Sequence, residues 1–176
     1  MTPTSPLDTF MTEIGFTAED LSANRGGHLS QRQRHYLQTD RNKNAALGAA
    51  LVTLFTLTTA LLLWNGLLNQ SLWLQGLAFL AAIGNTLTAW MFGRAYVQSL
   101  QDLRDGTVYP LEGAAQHVIR RFATTATGSV RIGDTVEVQT PTLAAFKAFE
   151  PGARYRVYRT AVSGRLVAVE PLAGTQ

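Results

Sequence analysis

Cysteine is absent from the 176 residues, which removes disulfides, thiolate metal sites and a Cys nucleophile together. Its absence also fits a reducing compartment. Charge is scarce and unevenly placed. The 15 Lys and Arg and the 12 Asp and Glu all lie in residues 1–43 or 94–176, and none falls in the fifty residues from Asn44 to Gly93. A soluble domain with helices of ordinary length rarely runs so far without a charge, so the gap points to lipid. The net charge of +3 is modest and its basic residues are spread along the flanks, which leaves little compositional case for nucleic acid. Residues 1–43 hold no apolar run of the kind a secretory signal peptide needs, so none is expected.

Recognisable chemistry is missing as well. There is no P-loop and no GxGxxG phosphate cradle, and Arg25-Gly-Gly27 reads more simply as a helix stop. The three histidines are His28, His35 and His117, and no carboxylate at ligand spacing joins them. Neither a metal nor another cofactor is expected. Serine and histidine come together only around Ser30, without a nucleophile elbow or a third group to orient the base. An enzyme site would have to draw on Glu112, His117 and Asp134, whose spacing gives it no support. The chain is therefore read as non-enzymatic.

What the sequence does contain is two apolar runs. The first, about 46–64, has seven leucines. At 1.5 Å per residue it reaches about 28 Å, close to the hydrocarbon thickness of about 30 Å. The second, about 72–93, holds Gln75 and Asn85 among apolar and small residues. Trp64, Trp73 and Trp90 sit near the run ends, where an indole prefers the membrane interface. The short uncharged connection Asn65-Gly-Leu-Leu-Asn-Gln-Ser71 makes the two helices antiparallel neighbours. Juxtamembrane basic residues Arg32, Arg34, Arg41 and Lys43 precede the first span, and Arg94 follows the second. The positive-inside rule then predicts a multi-pass protein of the cell (inner or plasma) membrane with both termini cytoplasmic.

A turn near 67–68 would set residue i beside about 135 − i. Asn85 then falls within a turn of Thr53, and Gln75 level with Thr59. Small residues at Ala46, Ala49, Ala50, Ala78, Ala81, Ala82 and Gly84 would let the backbones approach. Asn85 is read as an interhelical hydrogen-bonding group, or as a polar group lining a pore or meeting another subunit's span. Outside the bilayer the same pairing predicts a helical stalk, with Asp102 beside Arg32 or Arg34 and Arg94 beside Asp40.

The flanks read differently from each other. In residues 1–29, disorder is expected over some or all of the first fifteen. Thr17-Ala-Glu-Asp20 is a helix start, and Ser30 caps a second helix running into the first span. Asp105-Gly106 is a stop signal. Beyond it the pattern predicts strands at 115–123, 129–132 and 135–139, with Gly133-Asp134 as a turn. A short helix carrying Leu143, Phe146 and Phe149 on one face follows Thr140-Pro141. Strands at 155–160 and 165–170 then form a hairpin across Ser163-Gly164. The fold class is α+β: a two-helix transmembrane hairpin with helical cytoplasmic extensions, followed by a small OB-like or SH3-like β-domain. The divisions are 1–29 (N-terminal cytoplasmic segment), 30–106 (hairpin and stalk) and 107–176 (β-domain).

Arg154-Tyr-Arg-Val-Tyr-Arg159 is the one basic-aromatic cluster. Arg154, Arg156, Tyr158 and Thr160 would share one strand face. With Arg120 and Arg121, Arg154 and Arg156 form a candidate cationic face for anionic headgroups, an acidic segment of a partner or a single-stranded nucleic acid. The alternative is a half-buried hairpin whose arginines are solvated or cover apolar surface.

The run Asp20-Leu-Ser-Ala-Asn-Arg-Gly-Gly-His-Leu-Ser-Gln-Arg-Gln33 resembles the start of a group of uncharacterised bacterial two-span membrane proteins. Phe149-Glu-Pro-Gly-Ala-Arg-Tyr-Arg-Val-Tyr158 and Leu166-Val-Ala-Val-Glu-Pro171 are similar to their far end. The plan of spans followed by a small barrel also resembles NfeD-like membrane proteins, and implies scaffolding or partner regulation with no catalytic residues to carry over.

The expected function is a non-enzymatic integral membrane protein. Its hairpin anchors a cytoplasmic β-domain that binds a protein partner or organises a membrane complex. The alternative is a small subunit of an oligomeric channel or transporter, with Asn85 and the threonines facing an aqueous path. Expected partners are membrane lipids and a protein partner or further copies of the chain; nucleic acid is not expected.

Overall fold

Glycine and capping residues divide the chain where their backbone chemistry requires it. Thr17 accepts from the Asp20 amide while the Asp20 carboxylate accepts from Thr17, a reciprocal cap that starts helix α2. Ser30 and Gln33 exchange the equivalent pair at the start of α3. Gly27, Gly106 and Gly133 follow helix or strand ends with positive φ. In the computed structural model, residues 6–122, 125–133, 136–140 and 142–172 are described, with side chains between 119 and 128 outside the description.

The elements run α1 (Pro6–Phe10), a π-helical turn (Met11–Gly15), α2 (Ala18–Arg25), α3 (Gln31–Leu68) and α4 (Leu72–Asp105). They continue through β1 (Val108–Phe122), β2 (Thr125–Ile132), β3 (Val136–Gln139), α5 (Leu143–Ala148), β4 (Arg154–Thr160) and β5 (Leu166–Pro171). The fold is α+β: two long apolar helices and a C-terminal antiparallel sheet of five strands in the order β3-β2-β1-β4-β5. The chain divides into two units, Met1–His35 with Asp102–Gln176, and Tyr36–Gln101.

In the first unit β1 changes partners halfway. Val108 to Ala114 pair with β4, and Ala115 to Phe122 pair with β2. Gly113 sits at the exchange, where a Cβ would lie 2.5 Å from the Gly133 nitrogen, so only glycine lets the backbones pass. The strand begins earlier than the sequence pattern suggests because Pro110 lies in the half bonded to β4 alone, where its missing N–H costs no second ladder bond. Pro141 and Asp134, read as turn residues, lie outside the described residues. Thr142 supplies the α5 cap, accepting from Ala145. Phe146 and Phe149 are buried, but Leu143, expected on the same face, is exposed.

Residues 6–15 are helical, so the disorder expected for some or all of the first fifteen does not extend over the whole of that stretch. Phe10 is wholly buried, 4.7 Å from the Phe149 ring centroid and 5.7 Å from that of Tyr155. Burying such a ring contributes roughly 1.5–3 kcal/mol, which holds a segment whose helices are too short to persist alone. Val130, Ile132, Val138, Val157 and Val169 complete the core.

In the second unit α3 and α4 pair antiparallel. The reversal is at Asn69-Gln70-Ser71, with Gln70 at φ +50°, not at 67–68. Gly66 lies within helix α3, and its missing side chain lets Gln75 and Leu74 approach to where a Cβ would be. Gly48 is the other close approach, with the Phe92 ring filling the space of a Cβ. Ala78 is buried, whereas Ala46, Ala49 and Ala50 are exposed and Gly84 faces open space.

Candidate functional site

Inside the hairpin, Asn85 Nδ2 donates to Thr56 Oγ1 at 2.8 Å, and Thr56 in turn donates to the Val52 carbonyl. Gln75 Nε2 donates to the Gly66 carbonyl at 3.2 Å. Residue i therefore faces about 141 − i, six positions from the register read off the sequence, because α3 continues to Leu68. Asn85 meets Thr56 where Thr53 was expected, and Gln75 meets Gly66 where Thr59 was expected. Thr53 is exposed. Thr59 Oγ1 and Asn85 Oδ1 are buried without a hydrogen-bond partner. Thr56, Thr58, Thr86 and Thr88 bond back to the carbonyl one turn earlier, which keeps their hydroxyls satisfied within one helix.

At the charged end of the same unit, Arg41 lies over the Tyr96 ring at 5.3 Å and Arg94 over Trp90 at 5.5 Å. Lys43 is exposed nearby in sequence. Asp40 accepts from Asn44.

In the first unit, Arg32 and Asp102 take partners other than each other. Arg32 binds the Asp20 carboxylate and the Gly15 carbonyl. Asp102 accepts from the Val162 and Ser163 amides at 2.7 and 3.1 Å, fixing the turn between β4 and β5. Arg34 lies against Gly106. Asp20, almost wholly buried, also accepts from Thr17 and Ser30. Burial pushes its pKa up, but the bonds from Arg32, Ser30 and Thr17 outweigh that and hold it below the ordinary carboxylate value. No sequence pattern links Asp20 with Arg32, or Asp102 with Val162; only the folded chain brings them together.

The arginine strand is less free than its composition suggests. Arg156 Nε donates to Glu112 at 2.6 Å, and its guanidinium also faces Glu170 at 3.8 Å. Glu170 binds Arg25 and accepts from the Tyr158 hydroxyl at 3.1 Å. The Arg25 bond, with help from Tyr158, holds the Glu170 carboxyl below the usual range against the opposing effect of burial. Burial pushes the Tyr155 and Tyr158 hydroxyls up. A bulge between Tyr158 and Arg159 breaks the alternation, so both Tyr158 and Val157 are buried. Arg154 is exposed. The side chains of Arg120 and Arg121 lie outside the described residues; their backbones pair with Thr127 and Ala126.

The two ends of the resemblance meet here. Arg25 reaches Glu170, Gln33 Nε2 donates to the Val167 carbonyl at 3.1 Å, and the Gly27 carbonyl accepts from Val108. His117 Nε2 lies 2.7 Å from the Phe149 carbonyl and its ring stacks on Phe146, a packing contact at the end of α5. Among the described residues no group of three His, Asp or Glu could hold a metal ion. Compared with known protein families, curated proteins and solved structures, the chain matches none.

Proposed function

We propose that the protein is an integral membrane scaffold. In this reading α3 and α4 span the bilayer, residues 1–43 and 94–176 lie on the cytoplasmic side, and the β-domain binds a protein partner or organises a membrane complex. The observation that carries it is the apolar surface of the hairpin. Both helices contain a charge-poor window, of mean hydropathy 2.1 and 1.3, of which only 6% is buried. Leu54, Leu61, Phe79, Leu80 and Met91 are all more than half exposed. So large an apolar surface is incompatible with water, and lipid covers it without further contacts. Trp73 and Trp90 are 17 residues apart, about 25 Å along the helix and close to the hydrocarbon thickness.

The strand order β3-β2-β1-β4-β5, with α5 between β3 and β4 and β1 shared by both halves, supports an OB-like β-domain over an SH3-like one. The burial of Asn85 Oδ1 between helices supports a packing role for this residue over an aqueous path.

The absence of cysteine makes topology directly testable. With Asn69→Cys, an impermeant maleimide should label intact cells; with Ser163→Cys it should label only opened cells. Labelling of both in intact cells would sink the topology. Mild-detergent extraction of a tagged chain then tests scaffolding. A stoichiometric companion lost on deleting residues 107–176 supports it, and a homogeneous homo-oligomer without companion would move the channel-subunit reading to first place.

A further inference from the structure

We propose that the charged end of the hairpin selects anionic lipid, with Arg94 stacked on Trp90 as the headgroup phosphate site. The inference rests on the membrane reading above and goes beyond it by naming a ligand chemistry and the residues that bind it.

Trp90 is 60% exposed and closes the charge-free stretch of α4, so its indole marks the boundary between tails and headgroups. Arg94 lies one turn farther along, about 5.4 Å, at the level a phosphate occupies. Its guanidinium carbon is 5.5 Å from the Trp90 ring centroid. That ring backing orients the fork without neutralising its charge, and leaves its N–H groups available to a phosphate's oxygens.

Charge balance points the same way. The hairpin unit carries Arg41, Lys43 and Arg94 against Asp40 alone, and Arg41 is itself backed by Tyr96 at 5.3 Å. The opposite end of the hairpin, around Trp64 and Trp73, carries no charge with which to attract an anionic headgroup. A zwitterionic headgroup brings its own cation to the site, whereas an anionic one leaves its phosphate for the protein to neutralise.

Trp90 is also the reporter. In the full chain carrying Trp64→Phe and Trp73→Phe it is the only indole. Reconstituted into phosphatidylcholine vesicles, its fluorescence is quenched either by tail-brominated phosphatidylglycerol or by tail-brominated phosphatidylcholine at equal, low mole fraction. The expected result is stronger quenching by the anionic lipid, corresponding to a local enrichment of about five-fold for one basic charge. Arg94→Gln should reduce this excess, leaving quenching by brominated phosphatidylcholine unchanged as evidence that the helix is still inserted. Arg104→Gln, farther along α4, should keep the excess. Equal quenching by both lipids in the parent, or an excess that survives Arg94→Gln, overturns the lipid site and leaves the membrane reading standing. Loss of the excess on adding inorganic phosphate would assign a free-anion site instead. Quenching by neither lipid would sink the membrane reading itself, and the lipid site with it.

Discussion

Replacing Gly113 by alanine tests the partner exchange on which the β-domain is built. The added Cβ would lie 2.5 Å from the Gly133 nitrogen, 2.8 Å from its Cα and 3.2 Å from the Ile132 carbonyl carbon. All three are backbone atoms, so no side chain can swing aside. Ordinary contact needs about 3.4 Å or more, and inserting a methyl into space this tight costs about 1–3 kcal/mol. Parting β1 from the start of the 133 turn also stretches the 3.1 Å bond from the Gly133 amide to the Ala114 carbonyl. A weakened backbone bond adds about 0.5–1.5 kcal/mol, for a loss of about 1.5–4.5 kcal/mol in all. Against a domain stability of about 5–15 kcal/mol this is a large fraction. Pulse proteolysis of the full chain in detergent across a urea series reads it directly, because the arginines of β1 and β4 become cleavable only when the sheet opens. Gly84→Ala, at a helical position with open space around it, is the matched control and should leave that transition in place. A Gly113→Ala variant within about 0.5 kcal/mol of its parent would refute the crossing geometry.

Four further outcomes follow from the contacts described above. Phe10→Ala should cost about 3–5 kcal/mol of β-domain stability in the same proteolysis assay, and an unchanged midpoint would show that residues 6–16 are not part of that core. Asn85→Leu removes one interhelical bond and should weaken helix pairing by about 0.6–2 kcal/mol, read as resistance of the hairpin to separation in denaturing detergent. Asp20 and Glu170 both titrate below their ordinary values in the folded chain, so their stabilisation is full above that range and is lost as pH falls through the lowered values. Acid unfolding followed by circular dichroism should therefore begin below about pH 4, and Glu170→Gln should flatten the dependence. Tyr155 and Tyr158 titrate above their ordinary value, so they stabilise below about pH 10 and their contribution fades as pH rises through the raised values.

Much of the architecture is legible in the residues themselves because it is governed by local chemistry. A fifty-residue gap in charge can be seen without any coordinates, and it coincides with the apolar parts of α3 and α4. The capping pairs at Thr17 and Ser30 and the stop at Asp105-Gly106 each involve groups within four residues of one another. The order of three strands, a helix and two strands is also present in the alternation of Val, Ile and Thr with turn residues.

Tertiary structure decided the pairings. The hairpin register depends on how far α3 runs past Trp64; it continues to Leu68, and Gln75 meets the Gly66 carbonyl from the facing helix. Pro110 looks like a loop residue until β1 is seen to bond on one side only there. Arg32 could have met Asp102 or Asp20, and Arg156 could have stood free as part of a cationic face. Both choices turned on carboxylates brought close by the fold, Asp20 for one and Glu112 with Glu170 for the other. A sequence determines by itself what the backbone does over one or two turns, because those energies are local. Which distant groups meet is a property of the whole packed chain, where burial of Phe10 or a six-position shift in register outweighs any single local preference.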